Sequence, residues 1–163
     1  MQDVVMRELI LLRHAHAEPA SIGQTDFDRP LSQHGMIEAE AAGYWLRKQR
    51  LTPDRVLCSP ARRARETLET ILAVIGYVEQ CLEERLYEAT VGTLMALADE
   101  YREIDRLLLV GHNPGMEQLV SLIRSRETSE YPGMPTGSIA LLALPLNASI
   151  ELGITYLTAF WWP

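Results

Sequence analysis

At 163 residues, with 47% apolar and 23% charged side chains, the chain is long enough for one folded domain with a real core and has an ordinary globular composition. No apolar stretch approaches the roughly 18 residues of a membrane helix, and a formal net charge of −7 sets a long-range field against nucleic acid and anionic lipid. Two cysteines, Cys58 and Cys81, are too few for a disulfide framework or a four-ligand zinc site. The opening segment Met1-Gln2-Asp3-Val4-Val5-Met6-Arg7 has no charged stretch followed by an apolar one, so no secretory signal is read. Reduced thiols in a cytoplasmic, monomeric protein are the expectation.

Leu9 to Leu12 is continuously apolar and reads as a buried strand. A polar, Pro-containing loop follows from Glu18 to Pro30. Ser32 can cap a helix running to about Arg50, with Ile37, Ala41, Tyr44 and Trp45 on its inner side. Val56-Leu57-Cys58 is a second short strand. Ser59-Pro60 then supplies N-cap and first turn of a helix with Ala64, Leu68, Ile71 and Ile75 at core spacing. Val91 to Tyr101 is helical. Leu107 to Val110 is a third buried strand, and Gly111 to Gly115 turns into a helix carrying Leu119, Leu122 and Ile123. A Pro/Gly-rich loop, Tyr131 to Gly137, leads to Ile139–Leu144, and Ile150 to Phe160 closes the chain as a strand antiparallel to it. Strands alternating with helices predict an α/β fold over residues 1–163: a single domain with three α/β/α layers and a mostly parallel central sheet.

Three chemically loaded positions lie just after strands: Arg13-His14, Ser59 to Arg63, and Gly111-His112. In open α/β sheets the ligand crevice lies at the carboxyl ends of the strands, so independent segments converge on one place.

The same residues carry a family resemblance. Leu12-Arg13-His14-Ala15 resembles the Arg-His signature of the histidine phosphatase superfamily, which includes phosphoglycerate mutases. Arg29-Pro30-Leu31-Ser32-x-x-Gly35 with Glu38-Ala39, then Ser59-Pro60-x-x-Arg63-Ala64-x-x-Thr67, then Gly111-His112-Asn113-Pro114-Gly115 are similar to its later blocks, in the family's order. The blocks span residues 12 to 115. The short chain and the Arg-His-Ala variant resemble the SixA-type phosphohistidine phosphatases in particular. The resemblance implies a phosphoglycerate mutase-like fold with a minimal lid.

It also implies roles. His14 would attack phosphorus and carry the phosphoryl group, which requires a neutral ring; neighbouring cations favour that form, and a backbone carbonyl can fix the tautomer. Arg13 and Arg63 would bind phosphate oxygens through planar, permanently charged forks. His112 would donate a further bond, and Asn113 at the following helix start would add to the substrate site. The two arginines and second histidine supply the charge that a metal would otherwise bring, so no metal or other cofactor is expected. Glu84, in Leu82-Glu83-Glu84-Arg85-Leu86-Tyr87, falls where mutase-like members carry a proton-donating Glu; burial beside the pocket would keep it protonated, and an exposed acidic turn is the other reading. Arg62 and Arg65 read as surface, with Arg62 a rim contact; Thr67 as a packing or local capping residue; Gly35 as a close-packing position. His16 reads as a loop imidazole near the pocket rather than half of a metal pair with Glu18 or Asp26. His34 reads as helix surface.

The function implied is dephosphorylation of phosphohistidine on a protein partner such as a phosphotransfer domain, through a phosphohistidine on His14. The alternatives are a small-molecule phosphomonoesterase of the same superfamily and a non-catalytic phosphate-binding module. Mutase-like relatives carry a long insertion after the acid, whereas few residues separate Tyr87 from the helix at Val91 here, leaving a site too open to cover a small substrate. A cysteine phosphatase built on Cys58 fails on spacing, because Ala64 stands where the required Arg would be.

Overall fold

The computed structural model describes residues 3–124 and 131–163. Six strands form one sheet: β1 (Met6–Arg13), β2 (Arg55–Cys58), β3 (Gln80–Leu82), β4 (Arg106–Gly111), β5 (Ile139–Pro145) and β6 (Tyr156–Trp161), in the order β3-β2-β4-β1-β5-β6. β1 to β4 run parallel, β5 pairs antiparallel with β1, and β6 antiparallel with β5. Four helices cover it: α1 (Gln33–Lys48), α2 (Arg62–Ile75), α3 (Val91–Glu100) and α4 (Gly115–Ile123).

Strand side chains alternate between faces, so the continuous apolar runs of β1 and β4 feed two cores at once. Leu9, Leu11, Leu107 and Leu109 pack with residues of α3 and α4; Ile10, Leu12, Leu108 and Val110 pack with residues of α1 and α2. This is the expected three-layer arrangement, and among the described residues no helix is long and apolar enough to cross a membrane.

The inner face of α1 differs from the expectation. Ile37 and Tyr44 are exposed, and the buried positions are Gly35, Glu38, Ala39, Ala42, Gly43 and Leu46. Close approach decides the phase. A Cβ on Gly43 would lie 3.0 Å from the Val74 Cβ and 3.4 Å from the Ile71 Cα, so α1 must turn its small residues toward α2. Of the expected inner residues, Trp45 is half-buried and stacks on Trp161.

Ser59 and Pro60 do not cap α2. The helix begins at Arg62, with Ala61 at the N-cap and no side-chain cap bond. Leu122 is exposed, while Leu119 and Ile123 are buried. Strand β3, absent from the expectation, is three exposed residues on a sheet edge, too short to show a burial pattern. The final strand starts at Tyr156, since residues 152–154 form a turn.

The strand order places the carboxyl ends of β2, β4 and β1 side by side. Ser59, His112 and His14 therefore follow adjacent strands, about 4.8 Å apart in the sheet.

Candidate active site

The backbone around His14 is pinned on both sides. His14 N–H donates to the Gly111 carbonyl of β4 at 2.9 Å, and Arg13 N–H to Ser138 at 3.1 Å. Gly137, with φ +74°, turns its N–H onto the Arg13 and His14 carbonyls. On the α2 side, Ala15 N–H donates to Thr67 Oγ1 at 3.0 Å, and the Thr67 hydroxyl donates to the Arg63 carbonyl at 2.7 Å. Thr67 thus fixes the His14–Ala15 loop to the turn of helix that bears Arg63.

The tautomer of His14 follows from its partner. Nδ1 lies 2.7 Å from the Ala15 carbonyl, which can only accept, so Nδ1 carries the proton and Nε2 presents its lone pair. Burial pushes the ring pKa down to about 3, against the Ala15 carbonyl, which favours the charged form; the positive charges of His112, Arg63 and Arg13 lower it further. The ring is therefore neutral and nucleophilic at neutral pH.

Arg63 is buried at the centre of the site. Its Nε–H donates to His14 Nε2 at 3.3 Å, and Nη2 approaches His112 Nδ1 at 3.5 Å. Because a guanidinium only donates, His112 Nδ1 accepts, and its Nε2–H donates to the Ser59 hydroxyl at 2.7 Å. The His14 and His112 rings are 5.0 Å apart. Burial and Arg63 lower the pKa of His112 to about 4. An incoming phosphate dianion would oppose both effects and favour a proton on Nδ1, so that His112 could donate to it.

The far side of Arg63 is held by the 3-10 turn Asp26–Asp28. Nη1 donates to the Asp26 carbonyl at 2.7 Å, and Nη2 to Asp26 Oδ2 at 3.0 Å. Asp26 also accepts from Tyr87 Oη at 2.7 Å and from Arg29 Nη1 at 3.0 Å. The Tyr87, Arg29 and Arg63 bonds hold its carboxyl well below the usual carboxylate range despite some burial. Tyr87 in turn sets its ring edge-on to His112, 5.5 Å away. Neither Asp26 nor Tyr87 was expected to serve the phosphate site; residues 61 apart in sequence leave no local pattern to read.

Arg13 enters from the other flank. Its Nη1 donates to the Met134 carbonyl at 2.8 Å. Met134 is held on its other side by Glu117, whose Oε2 accepts from Met134 N–H at 2.7 Å and from Asn113 Nδ2 at 3.1 Å. Asn113 Nδ2 also donates to the Met134 carbonyl at 3.0 Å. Both amide hydrogens of Asn113 are thus spent inside the protein, and its place is in holding the 131–137 loop. Gly133 permits the clamp, since a Cβ there would lie 2.6 Å from Glu117 Oε2.

These groups surround an open cavity of about 540 Å³, lined by Arg13, His14, Arg63 and His112 together with Asp26 and Tyr87. Glu84 is not among the lining residues. It is exposed on a 3-10 turn at the protein surface, where Glu83 and Glu100 take the neighbouring Arg85 in ion pairs. Glu84 lacks the expected burial beside the pocket, because Leu86 fills the inward position of that short turn. Arg62 is also outside the cavity, paired with Glu66 at 2.8 Å. His16 and Asn113 line the cavity. Among the described residues no cluster of three or more His, Cys, Asp or Glu side chains is placed to hold a metal. The thiol of Cys58 is buried and pushed up to about 12, so it is no thiolate nucleophile at neutral pH.

An unprotonated imidazole nitrogen that shares a cavity with two guanidinium groups and a second histidine can accept a phosphoryl group: the arginines would oppose the equatorial oxygen charge while Nε2 attacked in line. Similarity to known proteins agrees. The family model described as histidine phosphatase superfamily (branch 1) matches residues 9–122. An uncharacterized protein of Mycobacterium tuberculosis is 35% identical over 160 residues, covering 91% of this chain and 98% of that one. The phosphohistidine phosphatase SixA of Escherichia coli is 30% identical over 146 residues, covering 84% and 85%. Among solved structures, an Agrobacterium tumefaciens protein provisionally described as phosphohistidine phosphatase SixA superposes with a TM-score of 0.85 at 29% identity, covering 96% and 98%. The chain belongs to the histidine phosphatase superfamily and is a phosphatase.

Proposed function

We propose that this protein removes the phosphoryl group from a phosphohistidine on a protein partner, such as a phosphotransfer domain, by way of a phosphohistidine formed at His14 Nε2. The observation that carries this reading is the pairing of an open crevice with the placement of Glu84, the expected acid, outside it. Only three residues, Glu88 to Thr90, separate Tyr87 from α3, so this connection is too short to fold over the cavity mouth. Asp26 is held ionised and Glu84 is on the outer surface. An alkoxide leaving group needs a proton in the transition state, whereas a phosphorylated imidazole protonated on its other nitrogen leaves as a neutral ring. A histidine protruding from a helix can reach His14 in such a crevice, while a small sugar phosphate would leave much of its surface wet. The charge is supplied by Arg13, Arg63 and His112, so the reaction proceeds without a metal.

The deciding experiment compares kcat/KM for a phosphorylated phosphotransfer domain with that for several sugar phosphates, with chelator present throughout. The protein substrate is expected to win, and the reaction to survive chelation. The His14→Ala variant is expected to lose turnover and to yield no acid-labile, alkali-stable phosphoenzyme. A sugar phosphate preferred by about tenfold, some 1.4 kcal/mol of transition-state binding, would replace this reading with the small-molecule one.

A further inference from the structure

The hydrolysis of a phosphohistidine on His14 requires a proton acceptor for the attacking water, and the residues discussed so far do not provide one. Asp26 is a poor base, because three donors share its oxygens and hold its pKa low. Glu84 is outside the cavity. His112 is committed to Ser59 and Arg63, on the side that receives phosphate oxygens.

His16 is different. It lines the same cavity as His14, while the intervening Ala15 is fully buried against Leu31 and Ala39. Its backbone is fixed: the N–H donates to the buried Glu38 carboxylate at 2.7 Å, and the carbonyl accepts Ser32 N–H at 3.0 Å. Gly35 packs so closely beneath that a Cβ would lie 1.9 Å from the His16 oxygen. The ring is fixed too, by the 2.7 Å bond between Nδ1 and Ser32 Oγ.

The hydrogen-bond inventory of Ser32 assigns the proton. Its Oγ accepts Gly35 N–H at 2.9 Å, and its own hydroxyl proton has the His16 carbonyl in reach at 3.2 Å. With that proton on the carbonyl, the remaining lone pair of Oγ takes Nδ1–H. Nδ1 then keeps its proton in both charge states of the ring, and every exchange happens at Nε2.

We propose that His16 Nε2 accepts the proton of the water that hydrolyses the phosphoenzyme. This rests on the reading of His14 as the phosphoryl carrier. The water oxygen bonds to phosphorus as the P–Nε2 bond of His14 breaks, and that electron pair returns to His14 as its lone pair. One water proton passes to His16 Nε2, the other stays on the product, which leaves as hydrogen phosphate dianion, and His16 returns its proton to solvent. In-line displacement brings the water from the side opposite His14, the open mouth of the cavity, where an exposed imidazole can meet it.

The test uses p-nitrophenyl phosphate, whose leaving group needs no proton, so that only the water step reads a base. Rapid-mixing kinetics on the full protein separate a nitrophenolate burst, which reports phosphorylation of His14, from the steady state, which reports dephosphorylation. In His16→Ala and His16→Gln the burst rate is expected to stay within about threefold of wild type, and the second step to slow by about 100-fold. Added imidazole should restore the second step in His16→Ala. The inference is overturned if both steps slow together, if neither slows, if imidazole gives no rescue, or if Glu88→Gln at the same rim slows the second step and the His16 variants do not. If the wild-type protein itself forms no phosphoenzyme on His14, it is the functional reading that fails.

Discussion

The Nε–H of Arg63 points at Nε2 of His14 across 3.3 Å, while the terminal nitrogens of the same guanidinium grip the carbonyl and carboxylate of Asp26. One planar fork therefore touches His14 and is aimed by the 26–28 turn. Its direction, more than its charge, is what the surrounding structure has been arranged to fix.

It follows that Arg63→Lys will not substitute for the native side chain. An ammonium retains the charge but has neither the plane nor the spaced donors needed to meet both Asp26 and a phosphate. Loss of kcat/KM on the order of 100-fold is expected, with the fold intact by circular dichroism. Near-normal kcat/KM in the lysine variant would mean that charge alone suffices.

Glu117 acts on Arg13 from a distance. Its carboxylate holds the Met134 N–H, and the carbonyl of the same residue receives Arg13 Nη1. In Glu117→Ala the loop loses this anchor and Arg13 loses its orientation before substrate arrives. KM and the inhibition constant for inorganic phosphate are expected to rise by about tenfold, the size of one lost charged hydrogen bond, while kcat changes less. Glu117→Gln retains an acceptor oxygen for the Met134 N–H and should recover most of the loss. A kcat effect with unchanged KM would contradict this route.

Protein stability should fall on mild acidification. Both site histidines have pKa values lowered by burial, to about 3 for His14 and about 4 for His112, against an ordinary value near 6.5. Between pH 6.5 and about 4 the unfolded chain binds protons that the folded one refuses, so stability is full above 6.5 and is lost as pH falls through that window. At pH 5 each ring accounts for up to about 2 kcal/mol. Urea unfolding at pH 7 and pH 5 should show a smaller difference in His14→Asn than in wild type. An identical difference in both would mean that His14 is not held neutral by burial.

Much of this was legible in the chain. The apolar runs that became β1, β2 and β4 mark buried strands whatever surrounds them, and Arg13, His14, Arg63 and His112 follow at distances fixed by strand ends and one turn of helix. Their meeting at one cavity follows from the parallel strand order. Other features depend on how two distant surfaces meet. The phase of α1 was set by the approach of Val74 and Ile71 to Gly43, a question of size that an apolar pattern does not carry.

The chemical detail was decided in the same way. The sequence determined which nitrogen-bearing side chains stand at the crevice, because each lies next to its strand in the chain. Only the tertiary structure decided their states: the proton on His14 Nδ1 through the Ala15 carbonyl, the His112 tautomer through Ser59 and Arg63, and the aim of Arg63 through Asp26. It also turned Glu84 to the surface and brought His16 and Ser32, sixteen residues apart, into contact. A titratable group's proton is governed by the few atoms within hydrogen-bonding distance and by how much water reaches it. For these side chains, most of those atoms arrive from segments far away in sequence.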